Sequence, residues 1–420
     1  MALDLTQLRI DQGRLRNHFE ALARIGATPE GGVHRPALGD ADSEGRKWLR
    51  ERIEQSPLVY SDDPAGNQSA ILHGCDRDGP RILIGSHLDT VPGGGRFDGA
   101  LGVLAAFNVL LTLQDAGYTP PIGLEAINFT DEEGTHIGTL GSRALTGRLH
   151  TEDLQRPFQG LPALDTGLAR IGLSRQNILQ ARRPTGSLAG YLELHIEQGP
   201  ILAKAGIDIG IVTAIAGIGR RTLHFRGRAD HAGTTPMSLR QDAGRAAGGF
   251  TAKAWDTLRE NFPDCVINIG DMRFHPGTFN VVPHTVALDL EYRAPDDRQL
   301  EALQQTLTDL ARATARECRV TLETGPVETS PAARMSTHMQ DMLAHAADRL
   351  GLQHRRMPSG AGHDAQSFAG LCPTGMIFIP SVGGKSHGPD EYSRWKDCVN
   401  GNNLLLQAAL ELAATHRNAG

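Results

Sequence analysis

Aromatic residues make up only 5% of the 420-residue chain, and cysteine is scarce. Few aromatics do not mean disorder here, because 40% of residues are hydrophobic, enough for at least one large core. The five cysteines, Cys75, Cys265, Cys318, Cys372 and Cys398, are scattered and form no CxxC pair. That argues against a disulfide framework and a thiolate zinc site, and fits a reducing cytoplasm. The chain has no Lys/Arg-rich block and a formal net charge of −6, so nucleic acid is not an expected partner. No apolar run approaches the ~20 residues needed to span a bilayer. The opening Met1-Ala2-Leu3-Asp4-Leu5 lacks the basic and apolar regions of a secretory signal. A cytoplasmic protein with no membrane partner is expected.

Histidine, by contrast, is plentiful, with 17 residues, so imidazole and carboxylate are the expected metal ligands. The length suits two or three domains. There is no internal repeat and no low-complexity segment. In the first half, short apolar strands (Ile82 to Gly85, Ile122 to Phe129) alternate with a buried helix, Gly99 to Leu113. This is the α/β pattern. The middle reads differently: an alternating strand over Arg221 to Arg228, a helix over Met237 to Arg259, and a half-buried strand around Val286 to Tyr292. Helix-strand alternation resumes with Met335 to Leu350, Gly375 to Ile379 and Asn402 to Ala414. The expectation is an α/β fold with one discontinuous domain, 1–212 and 330–420, and a smaller α+β domain, 213–329, inserted into it.

Five segments put His, Asp or Glu at a strand end or in a Gly/Pro-rich turn, where α/β sheets build sites. In the first, His87 follows an apolar strand, and Asp89 shares its face two residues on. A carboxylate there can take the second imidazole N–H of a metal-bound ring, although an ordinary surface histidine fits as well. In the second, Gly93 to Gly99, Asp98 either caps the following helix or bridges two cations. The third sets Asp131, Glu132 and Glu133 side by side, and three adjacent anions repel unless solvent or cations relieve them. A solvated loop is one reading. In the other, one Glu binds metal and its neighbour takes a proton from water activated there. The fourth is His195-Ile196-Glu197-Gln198-Gly199-Pro200, and the fifth runs from Pro380 to Pro389 with His387. Gly384-Lys385-Ser386 imitates the tail of a phosphate loop, but Ile379 stands where that motif needs glycine. Together these segments suit Zn, Mn, Co or Ni more than Mg or Ca.

With Asp230-His231-Ala232-Gly233-Thr234-Thr235-Pro236-Met237 and Gly362-His363-Asp364-Ala365 added, the set becomes specific. The chain resembles the M20 metallopeptidase-like amidases over nearly its whole length. Within them it resembles the hydantoinase/carbamoylase branch: N-carbamoyl-L-amino acid hydrolases, β-ureidopropionases and allantoate amidohydrolases. HIEQGP and DHAGTTPM mark this branch rather than its carboxypeptidase relatives.

The resemblance implies a metallohydrolase catalytic domain with an inserted lid and dimerisation domain, and two divalent ions per subunit. It implies His87 and Glu133 on separate metals, His195 and His387 likewise, and Asp98 bridging them. Glu132 is implied as general base and later acid, with Asp89 orienting His87. Gln198, His231, Asn280 and Arg293 match substrate-binding positions, and His231 is implied to reach the partner's site in a homodimer. His363-Asp364 is implied in a supporting role only. The expected activity is hydrolysis of the linear amide of an N-carbamoyl-L-amino acid, a small-molecule substrate, to the amino acid, CO2 and ammonia; allantoate or another N-acyl or ureido acid is the alternative. Two departures stand out. Thr135-His136-Ile137 replaces a small residue followed by Arg-Phe, and Lys385 precedes Ser386-His387 where an apolar residue is common. Lys385, and His136 when protonated, add positive charge, which points to a substrate with an additional anionic or polar group.

Overall fold

A computed structural model describes residues 4–184 and 186–416; the first three residues of the N-terminal stretch read above lie outside them. Contacts divide the chain into two compact units. One comprises residues 1–213, 334–357 and 361–420; the other comprises 214–333 and 358–360. The short return of Pro358–Gly360 into the second unit carries no sequence signal.

In chain order the strands are β1 (Val59–Asp62), β2 (Gln68–Leu72), β3 (Arg81–His87), β4 (Leu124–Phe129), β5 (Leu188–Ile196) and β6 (Ile209–Ile215). Those of the insert follow: β7 (Gly217–Arg226), β8 (Val266–His275), β9 (Thr285–Ala294), β10 (Thr321–Thr324) and β11 (Glu328–Ser330). The last three are β12 (Ala333–Arg334), β13 (His354–Ser359) and β14 (Thr374–Ile379).

The large sheet runs β1-β2-β4-β3-β5-β14-β6-β12, with β13 paired to β6. Its centre is parallel: β3 with β4 and β5, and β14 with β5. β4 and β14 are buried along their whole length, as expected of parallel strands covered on both faces. Ala100–Asp115 is buried from Ala100 through Leu113, so all but the last two residues of this helix lie in the core. Truncating fully buried Leu104 or Leu110 to alanine would cost about 2–5 kcal/mol. The register sets His87 beside Phe129 and His195 beside Phe378. The carboxyl ends of four parallel strands therefore meet at one edge, the place where such sheets bind ligands.

The inserted unit has a five-stranded antiparallel sheet, order β10-β7-β9-β8 with β11 on β7. The helices Ala243–Asn261 and Asp297–Glu317 pack on it through Phe250, Leu303 and Leu307, against Phe225 and Leu288. The sequence pattern placed a helix from Met237, but only a short turn, Met237–Leu239, forms there. The long helix starts at Ala243 because the Asp242 side chain caps it, accepting from the Arg245 N–H. The helix Asp297–Glu317 and strand β8 had no counterpart in the sequence reading. Asp296 caps that helix, accepting from the Gln299 N–H. Among the described residues, no helix is long and apolar enough to cross a membrane.

Candidate active site

The proposed ligands sit at the ends of parallel strands or in the loops that follow them, with Asp98 just before the helix Ala100–Asp115. His87 is the last residue of β3, and His195 lies one residue before the end of β5. Asp131, Glu132 and Glu133 follow β4, and His387 lies in the loop after β14. Asp131, Gln198 and His387 all take positive φ, a conformation costly for side-chain-bearing residues and common at sites. Gly99 is needed where it stands: a Cβ there would come within 2.4 Å of the His87 ring.

The side chains form two groups joined at Asp98. His87, Asp98 and His195 make one; Asp98, Glu133 and His387 make the other. His195 Nε2 is 3.1 Å and His87 Nε2 3.6 Å from Asp98 Oδ1. His387 Nε2 is 3.5 Å from Asp98 Oδ2 and 3.6 Å from Glu133 Oε2. The sequence left open which histidine shares a group with which carboxylate; the geometry pairs His87 with His195 and Glu133 with His387. Glu132 Oε2 lies 3.5 Å from His87 Nε2, beside the first group.

Burial disfavours charge on every one of these groups, and their mutual fields decide the outcome. Burial would lower His87, but Glu132 and Asp98 outweigh it and raise the imidazole well above its ordinary value. Burial would raise Asp98, yet the imidazoles around it hold it well below the usual carboxylate range. Glu133 is pushed up to about 7 by burial and by repulsion from Asp98. Glu132 is raised well above its ordinary value by burial, only partly offset by His87, with Asp364 and Glu133 adding to the rise. His387 rises to about 9 because it bonds to Asp98, against the effect of burial.

A divalent cation fits this donor set. Glu133 Oε1 is buried without a hydrogen-bond partner, a cost that a cation would remove. The ring nitrogens are prepared as well. His87 Nδ1 bonds the Asp89 carbonyl and His195 Nδ1 the Ile196 carbonyl, each at 2.9 Å. Both therefore keep a proton on Nδ1, which leaves Nε2, the atom turned toward Asp98, as the one that would ligate a cation.

Several expectations need correction. The Asp89 carboxylate does not hold the His87 ring: it stands 3.7 Å from Nδ1, too far for a hydrogen bond, and the main-chain carbonyl does that work. The carboxylate instead accepts from the Glu132 and Glu133 N–H groups, at 3.3 and 3.1 Å. Asp98 does not cap the following helix; Gly99 occupies that position with no side-chain cap. Asp98 Oδ2 accepts from Gln198 Nε2 and Ser386 Oγ, at 2.8 and 3.0 Å. His136 is buried, and burial holds its imidazole below the ordinary value, so it brings no positive charge. Lys385 is ion-paired with Asp390 at 2.6 Å. The argument for an additional anionic group on the substrate loses its basis.

Gln198 lies against the second group, its Nε2 3.2 Å from His387 Nε2. Glu391 went unread in the sequence, although it touches the main chain of Asp98. Its one trace is the Gly93-Gly94-Gly95 run, whose backbone leaves room for a carboxylate. His363, implied only in a supporting role, packs edge-on against the His195 ring, centroids 4.4 Å apart.

The other substrate candidates belong to the inserted unit. His231 and Asn280 are exposed and adjacent: residue 231 pairs with Val281, and the Ala232 N–H donates to the Asn280 carbonyl at 3.0 Å. His231 Nδ1 accepts from the Gly233 and Thr234 N–H groups, at 3.1 and 3.2 Å. Its proton therefore sits on Nε2. Arg293 is engaged: Nε and Nη2 bond Glu291 Oε1 at 2.8 and 2.7 Å, and Nη1 bonds the Gly360 carbonyl. Each terminal nitrogen keeps one N–H beyond these contacts.

Residues 83–411 match the model of Peptidase family M20/M25/M40. The chain belongs to this family. Among M20 relatives it is 35% identical to the N-carbamoyl-L-amino acid amidohydrolase of Geobacillus stearothermophilus, over 95% of this chain and 98% of the relative. It is 33% identical to the ureidoglycolate hydrolase of Arabidopsis thaliana, over 97% and 88%. A solved hydantoinase/carbamoylase amidase from Burkholderia ambifaria matches at a TM-score of 0.87 and 35% identity, covering 98% of each chain. As an M20 member the chain is a hydrolase of C–N amide bonds, of the carbamoyl-acid and ureido-acid type, that uses divalent metal. Its α/β catalytic domain with a smaller inserted domain is the M20 fold.

Proposed function

We propose that the chain is a dinuclear-metal amidohydrolase that converts an N-carbamoyl-L-amino acid and water to the amino acid, CO2 and ammonia. The observation that supports this reading is one carboxylate, Asp98, common to two clusters that could each hold an ion, with Glu132 beside the first cluster but in neither. His87 and His195 would hold one ion and Glu133 and His387 the other, with Asp98 common to both. Zn, Mn, Co or Ni suits these nitrogen and oxygen donors. When bound, the ions polarise the scissile carbonyl and acidify water, which a ureido carbonyl needs because two nitrogens donate into it.

Glu132 takes the proton of the attacking water and returns it to the departing nitrogen. Asp89 holds the Glu132-Glu133 turn through its N–H groups, and holds His87 through its own carbonyl. His231, with its proton on Nε2, is a donor for the oxyanion that forms at the carbonyl carbon. Gln198 and Asn280 offer amides to the ureido group. The spare N–H groups of Arg293 would receive the α-carboxylate. We take 1–212 and 330–420 as the catalytic part and 213–329 as the lid and dimerisation part of a cytoplasmic homodimer. The open edge of β8, with Val266 and Phe274 exposed, supports pairing there.

The test is a substrate panel on metal-reconstituted protein: N-carbamoyl-L-amino acids, allantoate, β-ureidopropionate, N-acyl amino acids and dipeptides. The reading expects the highest kcat/KM for an N-carbamoyl-L-amino acid. Preference for allantoate or β-ureidopropionate would move the assignment within the branch. Preference for dipeptides would overturn it.

A further inference from the structure

We propose that Glu391 is a positioning residue: it ties the loop carrying Asp98 to the loop carrying His387 and so sets how tightly metal is held between them. The proposal rests on the dinuclear reading above.

Glu391 is 3% exposed, and neither carboxylate oxygen is idle. Oε1 accepts from the Phe97 and Asp98 N–H groups, at 2.7 and 3.0 Å. Oε2 accepts from Ser386 Oγ at 2.9 Å, and the same hydroxyl lies 3.0 Å from Asp98 Oδ2. These links close a ring that runs from Glu391 through the backbone of Asp98 to its side chain, then to Ser386, and back to Glu391. His387 is the next residue after Ser386. Two of the three segments that supply the second ligand group, those of Asp98 and His387, are thereby fixed to one carboxylate.

Residue 391 is itself anchored. Its N–H donates to the Gly388 carbonyl at 3.1 Å, the Val382 N–H to the Tyr392 carbonyl at 2.8 Å, and Ser393 Oγ to the Pro380 carbonyl at 2.8 Å. The carboxylate also lies flat against Gly95, where a Cβ would come within 2.0 Å of it. An alanine at 95 would expel the carboxylate without removing any charge.

The proton count gives the ring a direction. Ser386 has one hydroxyl proton for two carboxylates. Cations on Asp98 relieve its need for that proton, leaving it for Glu391. Loading the site therefore strengthens the Ser386–Glu391 link, and Glu391, bonded to the Asp98 N–H and to Ser386, in return holds Asp98 and His387 at ligand spacing. Groups that orient metal ligands contribute about 10–100-fold in metal affinity.

The experiment measures cobalt(II) affinity by calorimetry, with the cobalt absorption spectrum as a report on ligand geometry. It compares the wild-type chain with Glu391→Ala, Glu391→Gln and Gly95→Ala. Glutamine keeps an oxygen for the two N–H groups and gives Ser386 a donor, so its affinity and spectrum should stay near wild type. Glu391→Ala and Gly95→Ala should each weaken binding by about 10–100-fold and alter the spectrum. Wild-type affinity in Glu391→Ala, or an equal loss in Glu391→Gln, would overturn the proposal. If Glu391→Ala does not fold, Gly95→Ala against Glu391→Gln decides: loss in the first alone supports the ring, and wild-type affinity in both overturns it. A wild-type chain that takes up one ion instead of two would defeat the dinuclear reading, while the variant-to-wild-type ratio would still decide the role of Glu391.

Discussion

His87 and His231 are the same residue type with opposite polarity. His87 is buried, and its Nδ1–H donates to a backbone carbonyl, which leaves Nε2 facing carboxylates as the atom that would ligate a cation. His231 is exposed, and its Nδ1 accepts two backbone N–H groups, which leaves Nε2 as a donor. The main chain therefore decides whether an imidazole can ligate a cation or stabilise an anion. The same contrast separates the two units. The catalytic unit crowds charges that need a cation, while the insert presents groups already held, His231 by backbone N–H groups and Arg293 by Glu291 and the Gly360 carbonyl.

The contrast breaks first, and most severely, if the buried charges need no cation. Chelation should abolish turnover, and Mn, Co, Zn or Ni should restore it. Full activity in a sample shown to be metal-free by elemental analysis would end the account. The next largest effect separates neighbours. Glu132→Gln should retain metal while kcat falls by about 10²–10⁴-fold, whereas Glu133→Gln should lose metal affinity. The reverse outcome would exchange their roles.

Much of the catalytic unit could be read from sequence because its signals are local. Apolar runs ending in His87, Asp131 and His195 became parallel strands whose carboxyl ends converge. What could not be read depends on distant partners. Glu391 bonds the Phe97 N–H from 294 residues away, and nothing in Asp390-Glu391-Tyr392 separates it from a surface acid. The division of ligands between the two groups and the use of the Asp89 carbonyl instead of its carboxylate are equally three-dimensional. So is the Arg293 engagement: Glu291 is two residues away, yet only the fold brings the Gly360 carbonyl to it. In the insert, β8 escaped notice because one edge and most of its side chains face solvent, which blurs the alternation a strand otherwise shows.

A third prediction tests whether the insert's donor serves a neighbouring catalytic unit. His231→Ala and Glu132→Gln should each be nearly inactive alone. Refolded together, about half the dimers are mixed and one of their two sites is whole, so activity should return to about a quarter of wild type. No recovery, with mixed dimers confirmed by differential tagging, would confine His231 to its own chain. The smallest effect is on pH. In the metal-free protein Glu133 sits at about 7 and His387 at about 9, and both must lose a proton to ligate. Metal affinity should therefore rise as pH increases through 7 to 9, with proton release on binding. Calorimetry in buffers of different ionisation heat would measure that release, and affinity independent of pH over this range would contradict it.

The most direct test of the shared Asp98 is an anomalous difference map from crystals of the cobalt-loaded protein. The account predicts two peaks about 3.5–4 Å apart, one against His87 and His195, the other against Glu133 and His387, with Asp98 between them. A single peak, or two peaks with Asp98 outside both, would contradict it.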